Sequence, residues 1–107
     1  MNNSRIALLK QYLEEEPEEP FNLYALAMEY LGEHPSMALS YFETLLAKHP
    51  DYLGTYYHAG KLYQAFQKEQ VAKEVFEKGI ALAIRLKETK ALAELRNAWN
   101  ELLDEEL

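Results

Sequence analysis

The side chains to weigh first for chemistry are His34, His49 and His58, Ser4, Ser36 and Ser40, and the eighteen aspartates and glutamates. A zinc-type site needs ligands that converge, often one helical turn apart. No histidine here has a His or carboxylate three or four residues on, and His34 and His49 each precede a proline. The serines read as a helix cap (Ser4), a helix start (Ser36) and a solvated face (Ser40). The carboxylates lie in surface runs such as 14–19, not beside apolar residues that would raise a pKa for acid–base work. No phosphate-cradling glycine loop, nucleophile elbow or zinc-protease helix is present. The expectation is no catalytic residue, no metal ligand and no cofactor.

The elements that would position any site must come from a 107-residue chain, a single-domain length. Hydrophobic residues make up 49% and charged residues 27%, which suits an ordinary globular core. The net charge of −7 and singly scattered lysines and arginines argue against nucleic acid, whose phosphates demand a basic stripe, and against an anionic membrane surface. No run approaches the ~18 apolar residues of a membrane span. The first residues lack the apolar stretch of a signal peptide. There is no cysteine, so disulfide and thiolate chemistry is excluded. A cytoplasmic setting is the resulting expectation.

The apolar periodicity is helical throughout. Ile6, Leu9 and Leu13 share one face of a first helix, with Ser4 as its cap and Pro17 beyond its end. A second helix runs from about 21 to 31, and Gly32 offers a positive φ for its terminus. Pro35 opens a third helix, where its missing N–H costs nothing. That helix carries Ala38, Leu39, Phe42, Leu45 and Leu46 and stops before His49-Pro50-Asp51. A fourth runs from about 53 to 66. A fifth begins near Lys68 and carries Ala72, Val75, Phe76, Gly79, Ile80 and Ala83. A break at Lys87-Glu88-Thr89, with Thr89 as cap, leads to a last helix bearing Leu92, Leu95, Trp99 and Leu102 and fraying into an acidic tail. No segment alternates polar and apolar residues as a strand would.

Two stretches of the chain repeat. Tyr56, Ala59-Gly60, Tyr63, Ala72 and Phe76 form one series; Leu23, Leu26-Ala27, Tyr30, Ala38, Phe42 and Pro50 form another, and Pro17 stands 33 residues before Pro50. Small residues at Ala27, Gly60, Ala38 and Ala72 permit close helix approach, and the large residues fill the space between. This pattern resembles the tetratricopeptide repeat: an aromatic, a Leu-Gly-like pair, a tyrosine, then an alanine and an aromatic four later. The first copy has a turn one residue shorter, and Ile84 replaces the closing proline of the second. The resemblance covers residues 17–86. It implies an all-α fold of about six helices, an α–α superhelix of helical hairpins in one domain, 1–107. Its parts would be an N-terminal capping helix (4–16), repeat 1 (20–52), repeat 2 (53–86) and a C-terminal capping helix (89–104); on the last, Trp99 reads as a core anchor, with an interface role as the alternative.

The resemblance further implies that the first helix of each pair lines a concave groove for a peptide or partner segment. The groove-facing residues would be Phe21, Tyr24, Met28 and Leu31 in repeat 1, and Tyr57, His58, Lys61 and Gln64 in repeat 2. The first stripe makes its helix apolar on two sides, so either neighbouring helices cover it or it is a binding patch. Tyrosine and methionine suit such a patch. Burying ~150 Å² of apolar area there contributes about 4 kcal/mol, much of it offset by ordering, so micromolar affinity is expected. Some family members grip acidic chaperone C-termini with a Lys/Arg/Asn clamp; Lys61 alone does not make one. The alternative is a self-assembly module, a homodimer formed through the same stripe or the last helix.

Overall fold

The computed structural model describes residues 1–106. Among them are six helices and no strand: α1 (Asn3–Glu15), α2 (Pro20–Tyr30), α3 (Pro35–Lys48), α4 (Gly54–Ala65), α5 (Glu69–Leu86) and α6 (Thr89–Glu106). The fold class is therefore all-α, as the periodicity requires. The helices form two compact units, one of Met1–Tyr52 and one beginning at Leu53.

In the first unit, α1 packs on α2 and α2 on α3. The core is Ile6 and Leu9 from α1, Leu23, Leu26, Ala27 and Tyr30 from α2, and Ala38, Leu39, Phe42 and Leu45 from α3. Ala27 and Ala38 are wholly buried, consistent with small residues letting the two backbones close up. Prolines take the first helical position of both α2 and α3. In the second unit, α5 packs on both α4 and α6, and α6 also touches α4. Tyr56, Ala59, Gly60 and Tyr63 of α4 face Ala72, Val75 and Phe76 of α5 in a buried layer, and Leu95, Ala98 and Leu102 of α6 close it.

Helix ends depart from the expectation in four places. The cap of α1 is Asn2, not Ser4: Asn2 Oδ1 accepts the Arg5 N–H at 2.9 Å, and Ser4 lies inside the helix. Either residue type can cap, and starting two residues earlier adds helical hydrogen bonds. Gly32 does not take a positive φ, because α2 leaves through a tight turn in which Leu31 stays right-handed. Thr89 is the first helical residue rather than a cap, since the Glu88 carbonyl already accepts the Leu92 N–H at 2.9 Å. The tail holds helical form to Glu106 instead of fraying.

The left-handed terminal residues are instead Gln67 (φ 64°) and Lys87 (φ 59°). Each ends its helix by paired reverse bonds: Lys68 N–H to Tyr63 C=O (2.8 Å) with Gln67 N–H to Gln64 C=O (3.0 Å), and Glu88 N–H to Ala83 C=O (3.0 Å) with Lys87 N–H to Ile84 C=O (3.1 Å). This is the Schellman geometry that glycine usually serves. A side chain in that conformation costs roughly 1 kcal/mol. Gln67→Gly and Lys87→Gly are therefore each expected to raise stability by about 0.5–1 kcal/mol after glycine's extra unfolded-state entropy is counted. A rise in the urea midpoint at unchanged slope would show it; a fall would mean the side chains make compensating contacts.

Candidate protein-binding faces

Helix α2 holds no charged residue before Glu29, and its one amide side chain, Asn22, is buried, so it is apolar on two sides. One side supplies the core of the first unit. On the other, Phe21 is 52% exposed and Met28 36% exposed, while Tyr24 and Leu31 are half-buried. Tyr24 stands edge-on to Phe42, with centroids 6.2 Å apart at 61°, and tilts against Tyr52 at 5.4 Å and 49°. Burial raises the pKa of both tyrosines; the neighbouring Tyr24 and Glu19 add to the effect at Tyr52. Both rings are therefore neutral, hydroxyl-bearing apolar surfaces at physiological pH. The polar end of the helix is tied down elsewhere: Arg5 Nε meets Glu29 Oε1 at 2.7 Å.

The corresponding α4 face in the second unit is only half-open. Tyr57, His58, Lys61 and Gln64 are all half-buried. Helix α6 lies against this side and brings acids to it. Lys61 Nζ sits 3.8 Å from Glu101 Oε2, and Gln64 Nε2 donates to Glu105 Oε2 at 2.8 Å. Among the described residues, the buried Gln64 Oε1 meets no hydrogen-bond partner. Tyr57 and His58 rings meet at right angles, 5.4 Å apart. Glu101 and Glu105 were not anticipated from sequence. Their signal was a one-turn acidic spacing on α6, which identifies a face but not what it faces.

Burial lowers the pKa of His58 below its ordinary value of 6.5, and Glu94 only partly opposes this. The folded chain thus binds the His58 proton less tightly than the unfolded chain. The second unit keeps its full stability above about pH 6.5 and loses some as the pH falls through the lowered value. His58→Gln is expected to lessen the drop in urea midpoint between pH 7.5 and 5.5; an unchanged drop would assign it to other groups.

A further apolar recess was not foreseen. Between α5 and α6 lies an open cleft of about 360 Å³, lined by Ile80, Ala81, Ile84 and Trp99 with Glu77, Arg96 and Asn100 at its polar margin. Trp99 is accordingly a half-buried wall of this cleft, not a core anchor: its Nε1 donates to Glu77 Oε2 at 3.1 Å, while Leu95, Ala98 and Leu102 fill the core. An indole seeks a partner for its N–H, and Glu77 provides one only at the rim.

Among the described residues, no three His, Cys, Asp or Glu side chains come together as a metal would require. Among the same residues, no helix is long and apolar enough to cross a membrane.

Solved structures resemble this fold closely. The crystal structure of a tetratricopeptide repeat domain protein from Salinibacter ruber superposes with a TM-score of 0.76 at 41% sequence identity, covering 78% of this chain and 96% of that one. The chain belongs to the tetratricopeptide repeat family. A solution NMR structure of a tetratricopeptide repeat domain protein from the same organism agrees, with a TM-score of 0.74 at 42% identity over 81% of this chain and 89% of that one. No protein-family model and no curated protein matches the chain. Tetratricopeptide repeats are a general protein-interaction fold and are typically non-catalytic. Within this tetratricopeptide chain the series Tyr56, Gly60, Tyr63, Ala72 and Phe76, on which the resemblance rests, is buried throughout.

Proposed function

We propose that this tetratricopeptide repeat chain is a non-catalytic module that binds a peptide or partner segment on the apolar face of α2. In this reading α2–α3 (20–52) and α4–α5 (53–86) are the repeats, and α1 and α6 are caps. The observation that carries it is the pairing of exposed Phe21 and Met28 with half-buried Tyr24 on a helix whose opposite side is core. A helix gains no stability from apolar residues left in water, so a covered state is favoured. Leu31 extends the same stripe. Tyr57, His58, Lys61 and Gln64 of α4 form a second, lesser contact face, since α6 already engages Lys61 and Gln64. The cysteine-free sequence suits a reducing, cytoplasmic setting.

The test is affinity capture from the native host with wild type and Phe21→Glu/Met28→Glu, compared by quantitative mass spectrometry. Both positions are exposed, so the variant should stay folded, which circular dichroism checks. Loss of at least one specific partner by about ten-fold or more is expected. Equal recovery of every protein by the two baits would remove the α2 face from the function.

A second reading, self-assembly, is favoured by the α5–α6 cleft, where Ile84 is 52% exposed beside Trp99. Light scattering that gave a dimer, and a monomer for Trp99→Ala, would assign the cleft to that role. A monomer at every concentration would retire it.

A further inference from the structure

The first unit combines an apolar aromatic face with an uncompensated acidic margin. Glu14 and Glu15 at the end of α1 and Glu16, Glu18 and Glu19 on the connection into α2 are all exposed. Among the described residues no ion pair reaches any of them. Three of the unit's cations are engaged away from this margin, Arg5 with Glu29, Lys10 over the Tyr30 ring at 6.0 Å and the Met1 ammonium with Glu33, and a single exposed lysine, Lys48, stands against five glutamates. Glu19 caps α2, its Oε1 accepting the Phe21 N–H at 3.3 Å, and this anchors its carboxylate at the edge of the aromatic face. That carboxylate is near enough for its charge to act on Tyr52, and the half-buried Tyr24 and Tyr52 rings meet at 49°, a corner rather than a parallel stack.

Two tilted aromatic faces next to a fixed carboxylate fit one class of ligand group. A cation is drawn to the ring quadrupoles and to the acid, while an anion is repelled by all three. Arginine suits the corner best, because its planar guanidinium stacks on an aromatic face while donating to a carboxylate. We infer that the partner segment docked on α2 carries a basic side chain, seated on the Tyr24–Tyr52 corner with Glu19 as its counter-charge and flanking apolar residues on Phe21 and Met28. This rests on the α2-face reading and specifies the partner's chemistry: a basic, apolar-flanked peptide rather than an acidic one. The five glutamates then act mainly on the rate of encounter, so binding weakens as salt rises.

The probe is a capped hexapeptide, Leu-Arg-Leu-Gly-Arg-Leu, with a twin in which both arginines are glutamine. Each is titrated into the isotope-labelled full chain at low salt and followed by NMR. The arginine peptide should shift the amides of residues 19 and 21–28 and of Tyr52, and should bind at least about five-fold more tightly than the twin. Tyr52→Leu should weaken the arginine peptide about five-fold and leave the twin unchanged, whereas Tyr52→Phe, which keeps the ring, should retain binding. Glu19→Gln should reduce both affinity and salt dependence. If the twin binds equally well at the same residues, the α2 face stands and the basic partner is wrong. If the arginine peptide shifts only residues 14–18 and ignores Tyr52→Leu, the attraction is diffuse and the corner is no site. If neither peptide moves residues 19–28, the α2-face reading falls with it.

Discussion

Gly60→Ala is expected to destabilise the protein by about 2–3 kcal/mol, although alanine is the better helix former. Gly60 lies within α4, where glycine ordinarily costs about 1 kcal/mol relative to alanine. Here a Cβ would overlap the Phe76 ring, reaching 2.6 Å from Cδ1. Phe76 is wholly buried, and Ala59 and Ala72 beside it are buried to the same degree, so the ring has nowhere to retreat. Overpacking of a filled core costs about 1–3 kcal/mol or more, and this clash belongs at the upper end. The internal control is Gly32→Ala. Nothing lies within 4 Å of a Cβ there and φ is not positive, so stability should hold within about 0.5 kcal/mol. Urea midpoints at constant slope measure both. Gly60→Ala combined with Phe76→Leu should recover part of the loss, since the two sites share one space. A Gly60→Ala protein as stable as wild type would contradict the close packing of α4 on α5.

Phe42→Ala is expected to cost about 3–5 kcal/mol, the largest single effect in the first unit. Phe42 is fully buried on α3, and its ring supports Tyr24 edge-on at 6.2 Å. Its removal leaves a cavity and withdraws the backing of Tyr24, so the α2 face should loosen as well. Phe21→Ala makes the comparison: the same residue type, 52% exposed, should change stability by less than about 1 kcal/mol. Chemical denaturation of the two variants separates a phenylalanine that holds the fold from one on the proposed binding face. Equal losses would mean Phe21 is structural.

The repeat was legible because its signal is local. The spacing of Tyr56, Gly60, Tyr63, Ala72 and Phe76 needs only one hairpin to make sense, and all five are buried. Pro35 likewise marks a helix start from covalent geometry alone. Helix ends were less legible. Gln67 and Lys87 take a left-handed conformation for which residue type gives no cue, while Gly32, which could have, does not. The reverse bonds that close α4 and α5 carry that choice. Periodicity puts Phe21 and Met28 on one stripe of α2, but Tyr52, twenty-eight residues from Tyr24, was invisible until α2 and α3 packed. The same holds for Glu101 and Glu105 against α4, and for the cleft between α5 and α6, which exist only as contacts between distant segments.

The central claim is that the α2 face is where a partner sits. The most direct measurement is site-specific photo-crosslinking in the native host, with a benzophenone amino acid placed singly at Phe21, Met28 and, as an exposed position on α3, Lys48. The account predicts a common crosslinked protein from Phe21 and Met28 and none from Lys48. No adduct at Phe21 or Met28, or the same adducts from all three positions, would contradict it.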